Sequence, residues 1–278
     1  MIPQRNLSTL ANRLAVPGAR RIPEAVLDRD YCLAWFLVGL STTQLASRLA
    51  FKGGTALKRC YFGDYRFSED LDFTITEPLT EQEIRRGVDA ACEKAAALSA
   101  VTFVFDREDR HSHLNSFTFF MTYEGVWPRS GAANEVKVDV TLTERLVLPL
   151  ERRPVLRGYP EFADIPDNAQ LTVYSLGEIA ADKAVALMDP ARNEPRDLYD
   201  LEFLITHGYV ANLDMPSAIA GKLDFRGLAI KDAAAILDRK EKRLRALWAP
   251  RLGAQVQLLP EFEGVFRTVR RWFRQLAL

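Results

Sequence analysis

The sequence predicts an α/β (α+β) fold: a small mixed sheet flanked by helices, followed by a mainly helical C-terminal half. Three observations predict it. Short alternating or apolar runs at 70–75, 101–105, 116–123 and 135–142 carry the two-residue period and the Val, Phe and Thr content of strands. Helical periodicity interleaves with these runs and dominates after residue 170. Between the two regimes Pro149, Pro154, Pro160 and Pro166 interrupt any sustained period. The expected domains are therefore 1–150, a linker or crossing segment at 151–170, and a helical 171–278.

Taken in order, Leu7, Leu10 and Leu14 mark a short helix broken at Pro17-Gly18 and Pro23. Residues 24–49 hold apolar positions that fit one or two helices. Thr80-Glu81-Gln82-Glu83 is a capping box opening an alanine-rich helix to residue 98. The strand-like runs follow, joined by polar connections; the first connection carries His111 and His113, a His-x-His pair with no third ligand nearby, which reads as a loop. Beyond the prolines, helices are expected at 174–188, 196–207, 217–223, 230–247 and 261–276.

Composition bounds the function classes. In 278 residues, 48% hydrophobic content suffices for a real core. Thirty-seven basic and thirty-seven acidic residues cancel, so a nucleic-acid partner has to be held by a local basic patch. Cys32, Cys60 and Cys92 are odd in number and widely spaced, fitting reduced buried thiols better than a disulfide framework or a zinc site. The apolar run 32–40 is half of the roughly 20 residues a membrane span requires, and with Arg5, Arg13, Arg20 and Arg21 among scattered apolar positions a secretory signal is not expected. A cytoplasmic protein with no membrane partner is expected.

Chemistry concentrates in two stretches. Lys52-Gly53-Gly54-Thr55-Ala56-Leu57 reads as a glycine turn opening a helix, with Thr55 near the N-cap. Free N–H groups and the positive helix end there favour phosphate, with Ser68 or Arg66 as further donors. In 70–75, Asp70 and Asp72 share one strand face, roughly 6 to 7 Å apart, while Leu71 and Phe73 face the core. Two such carboxylates repel unless a cation lies between them, and their hard oxygens suit Mg²⁺. The competing reading is a wet strand face that happens to be acidic. In 135–142, Glu135, Lys137, Asp139 and Thr141 share a face opposite Val136, Val138, Val140 and Leu142.

The segments at 52–57 (Lys-Gly-Gly-Thr-Ala-Leu) and 66–73 (Arg-Phe-Ser-Glu-Asp-Leu-Asp-Phe) resemble the AbiEii/AbiGii and MenT nucleotidyltransferase toxins, of the DNA polymerase beta-like superfamily. The likeness runs from about Asp28 to Leu201. It implies a nucleotidyltransferase core in 1–150 completed by the helical domain, with the active site between them. Asp70, Asp72 and a third carboxylate, Asp139, would bind two Mg²⁺ (or Mn²⁺), Asp139 also helping to deprotonate the acceptor. Lys52, Gly53, Gly54, Thr55, Arg66 and Ser68 would hold the nucleotide. Lys183, in Glu178-Ile179-Ala180-Ala181-Asp182-Lys183, matches a family lysine that faces the nucleotide, and answers phosphoryl charge without acting as a base. In Arg196-Asp197-Leu198-Tyr199-Asp200 an aspartate is needed in the family, Asp197 first and Asp200 second; Arg196 and Asp200 are spaced as an i to i+4 pair. A helix N-terminus stabilised by Asp197 competes with that role.

The resemblance implies transfer of a nucleoside monophosphate from an NTP to an acceptor hydroxyl, often the tRNA 3′ end, by the toxin of a toxin–antitoxin or phage-defence system with a neighbouring antitoxin. Protein adenylylation, phosphotransfer by the same site, and a non-catalytic partner-binding protein remain open. Basic residues recur at Arg239, Lys240, Lys242, Arg243, Arg245, Arg251, Arg267, Arg270, Arg271 and Arg274. They are spaced either to follow an RNA backbone or to solvate helix faces. Tyr199, Trp248 and Trp272 are candidates for base stacking or for the core.

Overall fold

The computed structural model describes every residue except 16, 19, 110–114, 128–133, 230–231 and 277–278. It forms two compact units, Met1–Thr143 with Leu150–Val173, and Glu144–Pro149 with Tyr174–Leu278. In the first, α1 (Gln4–Arg13) and α2 (Glu24–Ser41) precede β1 (Leu49–Lys52), which passes directly into the short helix α3 (Gly53–Ala56) and one wide π-helical turn, Leu57–Tyr61. β2 (Leu71–Ile75), α4 (Glu81–Ser99), β3 (Thr102–Glu108), β4 (Ser116–Glu124), β5 (Asn134–Thr141), β6 (Leu150–Pro154) and β7 (Gln170–Tyr174) follow. The strands make one seven-stranded sheet in the order β3-β4-β5-β2-β1-β7-β6. It is mixed: β1 is antiparallel to β2 and parallel to β7, and β2 is parallel to β5.

One sheet face is core. Phe51, Leu71, Phe73, Phe117, Phe119, Met121, Val138 and Val140 are all buried, as the two-residue period requires. Helices α2 and α4 pack together over this layer: Phe36 meets Phe103 edge-on at 5.5 Å, and Cys92 Sγ lies 3.9 Å from Met121 Sδ. Gly39 permits the helix contact, because a Cβ there would overlap the Ala91 carbonyl. The Thr80–Glu83 capping box forms as expected, and Cys32, Cys60 and Cys92 are free and buried. Burial pushes the Cys60 and Cys92 thiols up to about 12.

The second unit holds α5 (Leu176–Met188), α6 (Pro195–Thr206), α7 (Met215–Phe225), α8 (Ala233–Leu252) and α9 (Phe262–Leu276). Segment 144–149 is fixed within it: Glu178 accepts from the Val147 and Leu148 amides, and fully buried Lys222 meets Glu178 at 2.7 Å and Asp182 at 2.8 Å. No helix among the described residues is long and apolar enough to cross a membrane.

Two sequence expectations are corrected. Residues 151–170, expected as a linker or crossing segment, hold β6 and the start of β7 and belong to the first unit, and the chain passes from one unit to the other after Thr143, Pro149 and Val173. β6 is an edge strand, where Pro154 and the polar pair Arg152-Arg153 are tolerated, and that tolerance hides it from a period argument. The helical reading of 24–49 also runs too far. The helix stops at Ser41, a 3₁₀ turn covers Gln44–Ser47, and Leu49 begins a strand.

Candidate active site

The glycine turn is shaped by what lies against it. Gly53 has φ +79°, and a Cβ there would stand 2.5 Å from Asp72 Oδ2, so both backbone angle and space require glycine. A Cβ on Gly54 would collide with the Arg66 guanidinium and stand 3.1 Å from Ser68 Oγ. Arg66 and Ser68 are themselves buried, at 5% and 8% exposed. The two sequence segments thus meet residue for residue, Gly53 under Asp72 and Gly54 under Arg66 and Ser68. The helix starts at Gly53 rather than Thr55, with Lys52 at the N-cap, because the positive φ turns the chain out of β1 at once. Thr55 is buried in the first turn, and its hydroxyl donates to the Asp70 carbonyl.

Strand register brings the carboxylates together. Asp72 is paired with Lys52 on β1 and with Asp139 on β5, and Asp139 with Thr118 on β4. Lys52, Asp72, Asp139 and Thr118 therefore form one row across four strands. Lys52 Nζ donates to Thr141 Oγ1 at 2.8 Å. Asp70 sits just ahead of β2, held by Thr55.

Asp139 Oδ1 is buried and has no hydrogen-bond partner. A buried carboxylate oxygen left unsatisfied is costly, and a hard cation is the partner its chemistry fits. The three aspartates suit a divalent metal by donor type and register. Among the described residues, however, no three His, Cys, Asp or Glu side chains already stand in a metal-binding group.

In the second unit Lys183, Asp197 and Asp200 converge. Lys183 Nζ lies 2.7 Å from Asp197 Oδ1 and 2.9 Å from Asp200 Oδ2, and Arg192 Nε donates to Asp197 Oδ2 at 2.6 Å. Both aspartates are fully buried. Burial alone would raise the Asp197 carboxyl, but Lys183 and Arg192 hold it below its ordinary value. Capping of α6 falls to Glu194, which accepts from the Arg196 amide, so Asp197 is used by side chains. Arg192 had no sequence signal, since it lies in the irregular stretch before Pro195.

The basic residues of α8 and α9 divide. Lys240 is buried against the Leu187 and Asp189 carbonyls, Arg245 meets Glu241 and Glu263, and Arg270 meets Asp238. Arg239, Lys242, Arg243, Arg251, Arg267, Arg271 and Arg274 are exposed or half-buried on these helices. Trp248 belongs to the core, 5% exposed with its indole N–H on the Pro260 carbonyl; Tyr199 lies 6.2 Å from it, and Trp272 neighbours Phe273. His111 and His113 lie outside the described residues.

The fold recurs in known proteins. The family described as "Nucleotidyl transferase AbiEii toxin, Type IV TA system" matches residues 35–274. No curated protein sequence matches the chain. Among solved structures, MenT4, a nucleotidyltransferase toxin from Mycobacterium tuberculosis H37Rv, is similar at 19% identity, covering 100% of this chain and 90% of that one, with TM-score 0.65. JHP933 from Helicobacter pylori is similar at 17% identity, covering 92% and 93%, with TM-score 0.56. At these identities the likeness establishes the fold.

Proposed function

Since the chain belongs to the AbiEii nucleotidyl transferase toxin family and is a nucleotidyltransferase, we propose that it transfers a nucleoside monophosphate from an NTP to a hydroxyl at the 3′ end of tRNA, releasing pyrophosphate. The observation that carries this reading is the pairing of Asp72 with Asp139 beside Gly53, with one buried Asp139 oxygen that has no hydrogen-bond partner. Asp70, Asp72 and Asp139 would hold Mg²⁺, or Mn²⁺. When bound, the metal supplies Lewis-acid polarisation of phosphoryl oxygens.

The chain's own residues do the rest. The backbone N–H groups at Gly53 and Gly54, with Arg66 and Ser68, bind and orient phosphate oxygens, and Lys52 and Thr55 support them from either side. Asp139 takes the proton from the attacking hydroxyl. Lys183, oriented by Asp197 and Asp200, answers charge spread over the phosphoryl oxygens. As a type IV toxin the protein has a cognate antitoxin as partner.

The test is incubation of purified protein with total tRNA and each NTP, labelled in turn at the α and γ phosphates. Label from the α position in the tRNA band, and none from γ, is expected. Transfer of the γ label would mean a phosphotransferase. Label on protein alone would mean adenylylation, and no label on any acceptor a non-catalytic binding protein.

A further inference from the structure

One buried cation stands behind the glycine turn with no role in binding or transfer. Lys58 is 1% exposed, in the π turn after α3, one turn beyond Gly54. Its ammonium donates to the carbonyls of Gly63 (3.1 Å) and Tyr65 (3.0 Å) and to the Tyr159 hydroxyl (3.0 Å). The rings of Phe67 and Tyr159 stand 4.4 and 4.9 Å from Nζ. The Asp30 carboxylate is 4.0 Å away, at the limit of ion pairing, and is already engaged by Arg59.

Burying an ammonium costs much in desolvation, and a methionine would fill similar space without that cost. The donors must therefore hold something. What they hold is the loop before Asp70. Carbonyls 63 and 65 and the ring of Phe67 turn toward Lys58, while Arg66 and Ser68 turn toward Gly54. The helix that presents the glycines thus grips, from its next turn, the loop that presents the side-chain donors.

We propose that Lys58 is a positioning residue of the nucleotide site, fixing loop 63–67 so that Arg66 and Ser68 stand at Gly54. This rests on the reading of Gly54, Arg66 and Ser68 as the phosphate site. The cost of the arrangement is visible in Lys58 itself: burial, with Arg59 beside it and against Asp30 and Asp64, lowers its pKa to about 8.

The experiment compares wild type with Lys58→Met, Tyr159→Phe and Ser68→Ala. It reads hydrogen exchange of amides 63–68, binding of an α,β-methylene NTP by calorimetry, and KM against kcat for transfer. Lys58→Met is expected to exchange faster at 63–68, bind the analogue roughly tenfold more weakly, the scale of one lost charged hydrogen-bond set, and show the change mainly in KM. Tyr159→Phe, which removes one acceptor, should move the same way by less, and it decides the matter if Lys58→Met does not fold. If Ser68→Ala weakens binding while the Lys58 and Tyr159 variants leave it unchanged, the positioning role is overturned and the phosphate site stands. If none of the three alters binding, the phosphate reading falls as well.

Discussion

Gly53→Ala separates backbone strain from damage to the carboxylate row. At φ +79° an alanine pays the left-handed penalty, about 1 to 2 kcal/mol. Its Cβ would also stand 2.5 Å from Asp72 Oδ2, against 3.4 Å for an ordinary contact, so the carboxylate must retreat by about 0.9 Å. A displacement near 1 Å in a reacting constellation costs on the order of 10²-fold in rate. Gly208 is the control: φ is +76° with nothing within 4 Å of a Cβ. Gly208→Ala and Gly53→Ala should lose similar stability in urea titrations, about 1 to 2 kcal/mol each. Only Gly53→Ala should lose about 10²-fold in kcat for NMP transfer at saturating NTP. Equal activity in the two variants would refute the claim that Gly53 is there for Asp72.

Asp139→Asn should abolish transfer, hold or raise the melting temperature without metal because it removes a carboxylate whose buried Oδ1 has no hydrogen-bond partner, and erase any Mg²⁺-induced rise; a Mg²⁺ shift that survives would remove Asp139 from the metal site. Lys183→Ala should lower the rate by about 10² to 10³ and also destabilise the fold, since buried Asp197 and Asp200 each lose their contact with its ammonium, Asp197 keeping that with Arg192. Adding Asp200→Asn should recover part of the stability, read by thermal melts, and none of the rate. Three alanines at the exposed Arg267, Arg271 and Arg274 should reduce the salt slope of tRNA binding by about 0.7 to 0.9 for each phosphate that is no longer neutralised; an unchanged slope would make α9 a solvated face. Stability should fall above pH 9. The thiols of Cys32, Cys60 and Cys92 are raised by burial, so their contribution is whole below the unfolded value and is lost as pH rises toward the folded one. The loss is up to about 1.4 kcal/mol per thiol per pH unit. Lys58, lowered from 10.5 to about 8, and Lys240, lowered by its burial, act in the opposite sense over that range, but they are two groups against three. A melting temperature flat from about pH 8.5 to 10.5, or a slope untouched by Cys60→Ala, would contradict this.

Strands with a wet face and a dry face were legible. β2, β4 and β5 announce themselves because Leu71 and Phe73, Phe117 to Tyr123, and Val136 to Val140 alternate with polar neighbours. β1, β6 and β7 were not. β1 is four residues long and β7 five, and β6 at the sheet edge carries Arg152 and Arg153 where an inner strand would carry apolar side chains. Four residues give two positions to each face, too few to fix a period, whereas β7, as long as β2, is hidden because it runs directly into the helical pattern of α5.

The site shows the same limit more sharply. A strand over 70–75 would put Asp70 and Asp72 on one side by spacing alone, although Asp70 lies just ahead of β2, and Gly53 follows from its freedom at φ +79°. That Asp139 faces Asp72 depends on β2 lying parallel to β5, with β3 and β4 beyond it. A slip of one residue would put Val138 or Val140 opposite Asp72 and turn the third carboxylate into the core. Alternation along 135–142 assigns Asp139 a face, and only the family resemblance assigns it a role. Its partner is set by the apolar side: Phe73 packs on Phe51 at 5.0 Å and is paired with Val140. The buried side of the sheet therefore holds the polar side in register. An Asp139 variant tests chemistry, whereas a shape change at Phe51 or Phe73, on the core face and away from the phosphate site, should disturb Asp72 and Asp139 together.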